Sequence, residues 1–165
     1  MKEIIKIKKA CSPMRQGITV IELLVVLAVL GIIFSIVIPQ FSKMRENQVL
    51  KSGVQDILSS LNKARSQTLA SLNSSEYGVH FEADKVIIFK GIFFPANDPN
   101  NESINIIFPA SISNVALVGG VSSLYGEMYF NRLSGSPSKT GTITISTTNY
   151  SKVVTISAMG IASVD

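Results

Sequence analysis

The chain has 165 residues and a mass of 17.8 kDa, enough for one domain with a core but short for two full-sized ones. A single Cys and a single His exclude a disulfide framework within the chain, a cysteine-ligated zinc site and His-rich metal sites. The net charge of +4 and pI of about 9.3 would suit a nucleic acid or an anionic membrane as partner. Only 16% of residues are charged, and the mean hydropathy of +0.35 indicates apolar residues concentrated in one place.

The first 17 residues are basic. They carry five positive charges against the single acid Glu3. Basic residues that precede a first hydrophobic helix keep that end in the cytoplasm, so the chain from about Gln40 onward is expected to face the periplasm or the cell exterior. The basic residues are Lys2, Lys6, Lys8, Lys9 and Arg15.

The apolar residues are concentrated between Ile18 and Ile38, where 17 of 21 residues are apolar. At a rise of about 1.5 Å per residue, about 20 helical residues match the hydrocarbon core of a bilayer. The segment therefore predicts a membrane-spanning helix. A secretory signal peptide has a shorter apolar region followed by a small-residue cleavage site, whereas Pro39-Gln40-Phe41-Ser42-Lys43 follows here.

Glu22 is the exceptional residue of this segment. A carboxylate inside a bilayer costs roughly 2.5–3.5 kcal/mol at the centre and less near an end, and is by default a functional residue with a partner. Residues 18–38 contain no Lys, Arg or His that could pair with it. Either a partner comes from outside the helix or the acid is protonated. A plain signal-anchored surface protein remains an alternative, but it gives Glu22 no role.

The run Gly17-Ile18-Thr19-Val20-Ile21-Glu22, followed by the apolar segment and Pro39, resembles the class III signal of type IV pilins and type II secretion pseudopilins. The resemblance implies that a prepilin peptidase cleaves between Gly17 and Ile18 and methylates the new amine of Ile18. It also implies that Glu22 pairs with that amine of a neighbouring subunit during filament assembly, as two groups that are costly alone in lipid become tolerable together. The family most often begins with Phe, so Ile18 departs from its pattern.

Two residues weaken the predicted helix. Gly31 costs about 1 kcal/mol relative to Ala, and Pro39 removes a backbone donor. One interpretation is a simple kink near the membrane exit. The other, implied by the resemblance, is that residues 31–39 stretch or unwind when the subunit enters a filament.

The rest of the chain predicts an amphipathic helix followed by strands. Apolar residues recur near i, i+3, i+4 spacing through residues 42–73, at Leu50, Val54, Ile57, Leu58, Leu61, Ala64, Leu69 and Leu72. Short β-rich runs follow, at residues 77–82, 85–90, 104–108, 113–118, 127–131, 142–147 and 152–157. The predicted fold class is α+β, a long N-terminal helix packed on a β-rich C-terminal head. The predicted domains are a cleaved leader (1–17), a transmembrane helix (18–39), the amphipathic helix of the head (40–73) and the β-rich head (74–165).

The order of the C-terminal segments resembles the minor pseudopilins of the GspH/FimT type. The segments are a helix with Ala64-Arg65-Ser66-Gln67, a hairpin, the run 130–135, the strand 141–146 and the closing run 156–160. Some FimT-like pilins take up DNA through a Gly-Arg-x-Arg segment, but the matching positions here are Gly160-Ile161-Ala162-Ser163, without arginine. Because backbone contacts need clustered Lys or Arg, nucleic-acid binding is not favoured. No motif accounts for residues 91–126.

No catalytic or metal site is predicted, and His80 reads as a structural strand residue. The expected function is that of a minor pseudopilin: a non-enzymatic subunit of a type II secretion pseudopilus, without cofactor or small-molecule substrate. Its expected partners are the prepilin peptidase, other pseudopilins or pilins, and the membrane. A minor pilin of a type IV pilus or competence apparatus and a DNA-uptake receptor remain alternatives.

The net positive charge of the chain comes from the predicted leader. Residues 18–165 hold ten basic and ten acidic residues, so the predicted mature subunit is neutral. Cys11 also falls in the leader, so that subunit would contain no cysteine.

Overall fold

The computed structural model describes residues 17–119 and 122–165. It begins with a helix, α1 (Val20–Leu69), followed by a short 3₁₀ turn (Leu72–Ser74) and eight strands. The described residues divide into two units, one ending at Pro39 and the other running from Gln40 to Asp165. The predicted leader, apart from Gly17, lies outside the described residues.

The part of α1 in the first unit is apolar and exposed. By length and composition α1 can cross a membrane, and none of its most apolar window is buried by protein. Large side chains such as Ile21, Ile32 and Ile36 are each more than 60% exposed. Such a surface needs an apolar environment other than this chain.

The part of α1 in the second unit contributes one face to the core of the head. Leu50, Ile57, Leu61 and Ala64 are all at most 3% exposed, as the predicted spacing requires. The prediction is wrong for the last turn and beyond, because Leu69 is 44% and Leu72 45% exposed. The core cluster ends at Ala64 on this helix, so these two leucines lie beyond it.

Gly53 allows α1 to approach the sheets closely. A Cβ at this position would lie 2.6 Å from Cδ1 of Ile145 and 3.4 Å from Cγ2 of Ile106. In the sequence this glycine only weakens the helix, by about 1 kcal/mol relative to Ala. In the fold it removes a side chain where strand and helix meet.

Two antiparallel four-stranded sheets complete the head. The strands are β1 (Tyr77–Phe81), β2 (Lys85–Lys90), β3 (Glu102–Asn105), β4 (Ser111–Leu117), β5 (Gly126–Phe130), β6 (Gly141–Ser146), β7 (Ser151–Ile156) and β8 (Ala162–Val164). The first sheet has the order β3-β2-β1-β5 and the second β4-β6-β7-β8. Both sheets bury alternate residues in one core with α1, which confirms the predicted α+β, pilin-like layout.

The strand prediction is partly wrong at residues 104–108. β3 ends at Asn105. Of the rest of the predicted run, residues 106–108, Ile106 is buried and its N–H donates to the carbonyl of Asp84, whereas Ile107 and Phe108 are exposed. Ile107 and Phe108 lie in a turn closed by a bond from the Ala110 N–H to the Ile107 carbonyl. Pro109 cannot donate to a ladder, which explains why an apolar run ends as a turn. The short strand that pairs with β7 at the edge of the second sheet, β8, is not among the strands predicted from the sequence.

Phe94, in the loop between β2 and β3, packs on the outer face of the first sheet, which gives part of the unassigned region 91–126 a structural role. The Phe94 ring stacks on the His80 imidazole, with centroids 3.9 Å apart and planes 7° apart. It also meets the Phe89 ring edge-on at 5.6 Å. Phe89 is 1% exposed although it points away from the main core, so the loop adds a second small apolar layer.

We expect His80 to make the stability of the head depend on pH. Burial lowers the pKa of His80 below its ordinary value of 6.5, although the Glu82 and Glu127 carboxylates partly oppose this effect. A proton therefore binds more readily to the unfolded chain. The stabilisation that depends on a neutral His80 should be fully present above about pH 6.5. The free energy of unfolding should then decrease as the pH falls below that value.

The test is thermal unfolding of the full chain in detergent from about pH 7.5 to about pH 5.5. His80→Phe retains a ring against Phe94 but cannot titrate, so its melting temperature should decrease less over this range. Equal pH slopes for the two proteins would contradict the assignment to His80.

Candidate functional site: the helix start and the Arg65 cluster

The predicted cleavage position lies immediately before α1. Gly17 and Ile18 precede the first helical residue, and Ile18 is 77% exposed. A Cβ on Gly17 would have no heavy atom within 4 Å. The peptide between these residues is therefore accessible in the part of the chain that the structure describes.

Thr19 caps the helix. Its Oγ1 accepts a hydrogen bond from the Glu22 N–H at 3.3 Å, and its carbonyl accepts one from the Leu23 N–H at 3.1 Å. Free N–H groups at a helix start need such acceptors, above all in lipid. The spacing Thr19-x-x-Glu22 is that of a capping box, which is the sequence signal for this cap.

Glu22 lies in the first turn of α1 and is exposed. At this position the partial positive charge of the helix start favours a carboxylate. The residue therefore has a local role in its own helix, which sequence reasoning missed, besides the predicted pairing with another subunit. That pairing remains a prediction.

Gly31 and Pro39 both lie inside α1. Among the described residues, a Cβ on Gly31 would meet no atom within 4 Å beyond the helix's own backbone, so no packing contact seen there requires a glycine. Pro39 is the last residue of the first compact unit. Their predicted role as the weak part of the helix stays a prediction.

In the head, Arg65 joins three segments that are distant in sequence. Its Nε donates to the Gly135 carbonyl at 3.1 Å, and its Nη2 donates to the Met159 carbonyl at 2.9 Å. A guanidinium can satisfy two carbonyls at once because its donors are fixed in one plane. The three segments that carry the sequence resemblance thus meet at one side chain, and we call this junction the Arg65 cluster. The segments are Ala64–Gln67, Phe130–Gly135 and Ile156–Gly160.

Gly160 makes this junction compact. It has a φ of +74°, and a Cβ there would lie 2.5 Å from the Gly135 carbonyl oxygen and 3.1 Å from Nε of Arg65. Both the backbone angle and the space exclude other residues without a shift. Arg132 adds a further link, donating to the Ser74 carbonyl at 2.9 Å.

Other polar groups of the head have local partners. Lys63 pairs with Glu102 at 2.5 Å, and Lys85 with Glu82 at 3.3 Å. In the polar loop 97–102, the Asp98 carboxylate accepts from the backbone and side-chain nitrogens of Asn100, which lowers the pKa of Asp98. These contacts explain the polar residues of the loop and the two paired lysines as structural, without a bound ligand.

Residues 12–38 match the family model described as the prokaryotic N-terminal methylation motif. The match covers the predicted cleavage position, Glu22 and the apolar segment, and it indicates a type IV pilin-like protein processed by a prepilin peptidase. It does not confirm the finer GspH/FimT assignment. No curated protein and no solved structure matches the chain.

We expect Arg65→Met to destabilise the head by about 2 kcal/mol, because two charge-assisted hydrogen bonds are lost and two carbonyls lose their donor. Lys63→Met is the matched control on the same helix. Its ion pair is nearly half exposed and should contribute less than about 1 kcal/mol.

Chemical unfolding of the two full-length variants in detergent measures the difference. Equal stability of Arg65→Met and Lys63→Met would show that Arg65 does not hold the three segments together.

Proposed function

We propose that the chain is a minor pseudopilin, a non-catalytic subunit that is built into a short type II secretion pseudopilus. The observation that carries the proposal is the methylation motif over residues 12–38, joined to an apolar helix segment that its own protein leaves exposed. Side-by-side packing of such segments would bury that surface both in lipid and in a filament.

The Arg65 cluster supports the GspH/FimT-type interpretation. A family resemblance based on scattered segments is more meaningful when those segments meet in the fold, and here three of them do so at Arg65. The position equivalent to a DNA-binding Gly-Arg-x-Arg segment begins at Gly160 and leads into β8 without an arginine. This favours a role in protein secretion over DNA uptake.

The proposed partners follow from the motif. The prepilin peptidase removes residues 1–17 on the cytoplasmic side and methylates Ile18, and other pseudopilins pack against the helix. The basic leader holds the N-terminus in the cytoplasm, and the head lies on the opposite side of the inner membrane. The action is mechanical, through helix packing and head contacts.

Processing is tested by mass spectrometry of the membrane-extracted protein, produced with and without a prepilin peptidase. The expected product begins at Ile18 and carries a methyl group. Gly17→Val should abolish cleavage, whereas Gly31→Val, the same change within the span, should leave it intact. An N-terminus still at Met1 in the presence of the peptidase would refute the proposal.

Assembly is tested with Glu22→Gln, which keeps the length of the side chain but removes its charge. It should be processed but be at least about tenfold depleted from sheared filaments. A buried amine that has no carboxylate partner destabilises the assembled state by several kcal/mol. Thr19→Val, which removes only the cap at a cost of about 1 kcal/mol, is the control. If Glu22→Gln enters filaments normally, or if Thr19→Val is depleted equally, charge pairing is not the role of Glu22.

A further inference from the structure

An apolar and basic surface lies at the end of the head where the chain leaves the apolar span. We define the base patch as Phe41, Met44, Ile107 and Phe108, together with Lys43 and Arg45. The four apolar side chains are at least 59% exposed, and Phe108 is 87% exposed. An exposed phenylalanine next to exposed aliphatic residues indicates a surface that a partner covers.

The two parts of the base patch belong to the same end of the head. Ser42, Arg45 and Glu46 of α1 line one groove with Phe108, Pro109 and Thr148. Asn149 donates to the Glu46 carboxylate at 2.9 Å and fixes the neighbouring turn to the same helix segment.

The covalent chain keeps this end close to the apolar span. Phe41 is three residues after Ile38, and Arg45 is seven residues after Ile38. Because an extended chain covers at most about 3.6 Å per residue, Phe41 lies within about 11 Å and Arg45 within about 25 Å of the end of the span, however the two units are arranged.

The charge of this region differs from that of the rest of the predicted mature subunit. Residues 18–165 are neutral overall, but residues 40–51 hold Lys43, Arg45 and Lys51 against Glu46 alone. Basic residues beside exposed aromatic and aliphatic side chains are the composition that binds the interface of an anionic bilayer.

We propose that the base patch docks the head onto the surface of an anionic membrane. Phe108 and Ile107 enter the headgroup region, and Lys43 and Arg45 contact the phosphate groups of the lipids. The docked subunit holds its head against the bilayer before assembly, and extraction into a filament must break these contacts. The inference rests on the proposed membrane insertion of Ile18–Ile38.

The chain has no Trp, so one introduced tryptophan reports on one position. The full chain is reconstituted into vesicles of equal parts phosphatidylcholine and phosphatidylglycerol, with or without brominated acyl chains. Phe108→Trp is compared with Leu133→Trp, a residue that is equally exposed, at 88%. Leu133 lies near Gly135, which borders Leu69, about 36 Å along α1 from Arg45 at a rise of about 1.5 Å per residue.

Docking predicts that brominated lipid quenches Phe108→Trp at least about threefold more than Leu133→Trp, with a blue-shifted emission. Lys43→Gln with Arg45→Gln, or vesicles of phosphatidylcholine alone, should reduce this difference. Ile107→Trp provides a second reporter should Phe108→Trp fail to fold.

Equal quenching at the two positions overturns the proposal. A blue shift at position 108 that brominated lipid does not quench and that disappears on dilution also overturns it, since a second copy would then cover the patch. Flotation of the vesicles after an alkaline wash separates these results from a failure of the span. The wash removes surface-bound protein, so a chain that no longer floats has not inserted, which refutes the proposed function itself.

Discussion

The head depends on the burial of one face of α1 between Leu50 and Ala64. Ile57 and Ala64 are fully buried, and Leu50 and Leu61 nearly so, in a cluster that includes residues of both sheets. Neither four-stranded sheet could shield its inner face alone, because each presents alternate apolar residues that need a cover. Gly53 leaves room for the Ile145 side chain against the helix, and Arg65 links the loops after β5 and β7 to the same helix.

The same helix carries two kinds of apolar surface, and the difference between them underlies the proposed function. In residues 18–38 apolar side chains occur all round the helix and remain exposed, whereas Leu50, Ile57, Leu61 and Ala64 lie on one face and are buried. The hydrophobic effect requires cover for both surfaces. The head supplies it for one, so lipid or neighbouring helices must supply it for the other.

Periodicity predicted the elements whose burial follows a regular pattern, and failed where a single residue changes the local geometry. The hairpin β1–β2, the pair β6–β7 and the stripe through Ile57 and Leu61 follow regular alternation or helical spacing. At Phe108 an apolar run became an exposed turn before Pro109. Arg65 donates hydrogen bonds to Gly135 and Met159, which follow it by 70 and 94 positions in the sequence. No local sequence pattern encodes contacts over such separations. The spacing Thr19-x-x-Glu22 also marks the helix start, whereas the apolar context of Glu22 indicates only a charge inside the membrane.

Glu22 is better accommodated in its own helix than its sequence context suggests. It lies in the first turn of α1, where its N–H donates to Thr19 and the helix start carries partial positive charge. The cost of an acid in lipid is smaller near the end of a span than at its centre. Cleavage before Ile18 would place a positive amine four residues from this carboxylate, at the same end of the helix. A neighbouring amine would then compete with an attraction already present within the subunit rather than compensate a bare charge.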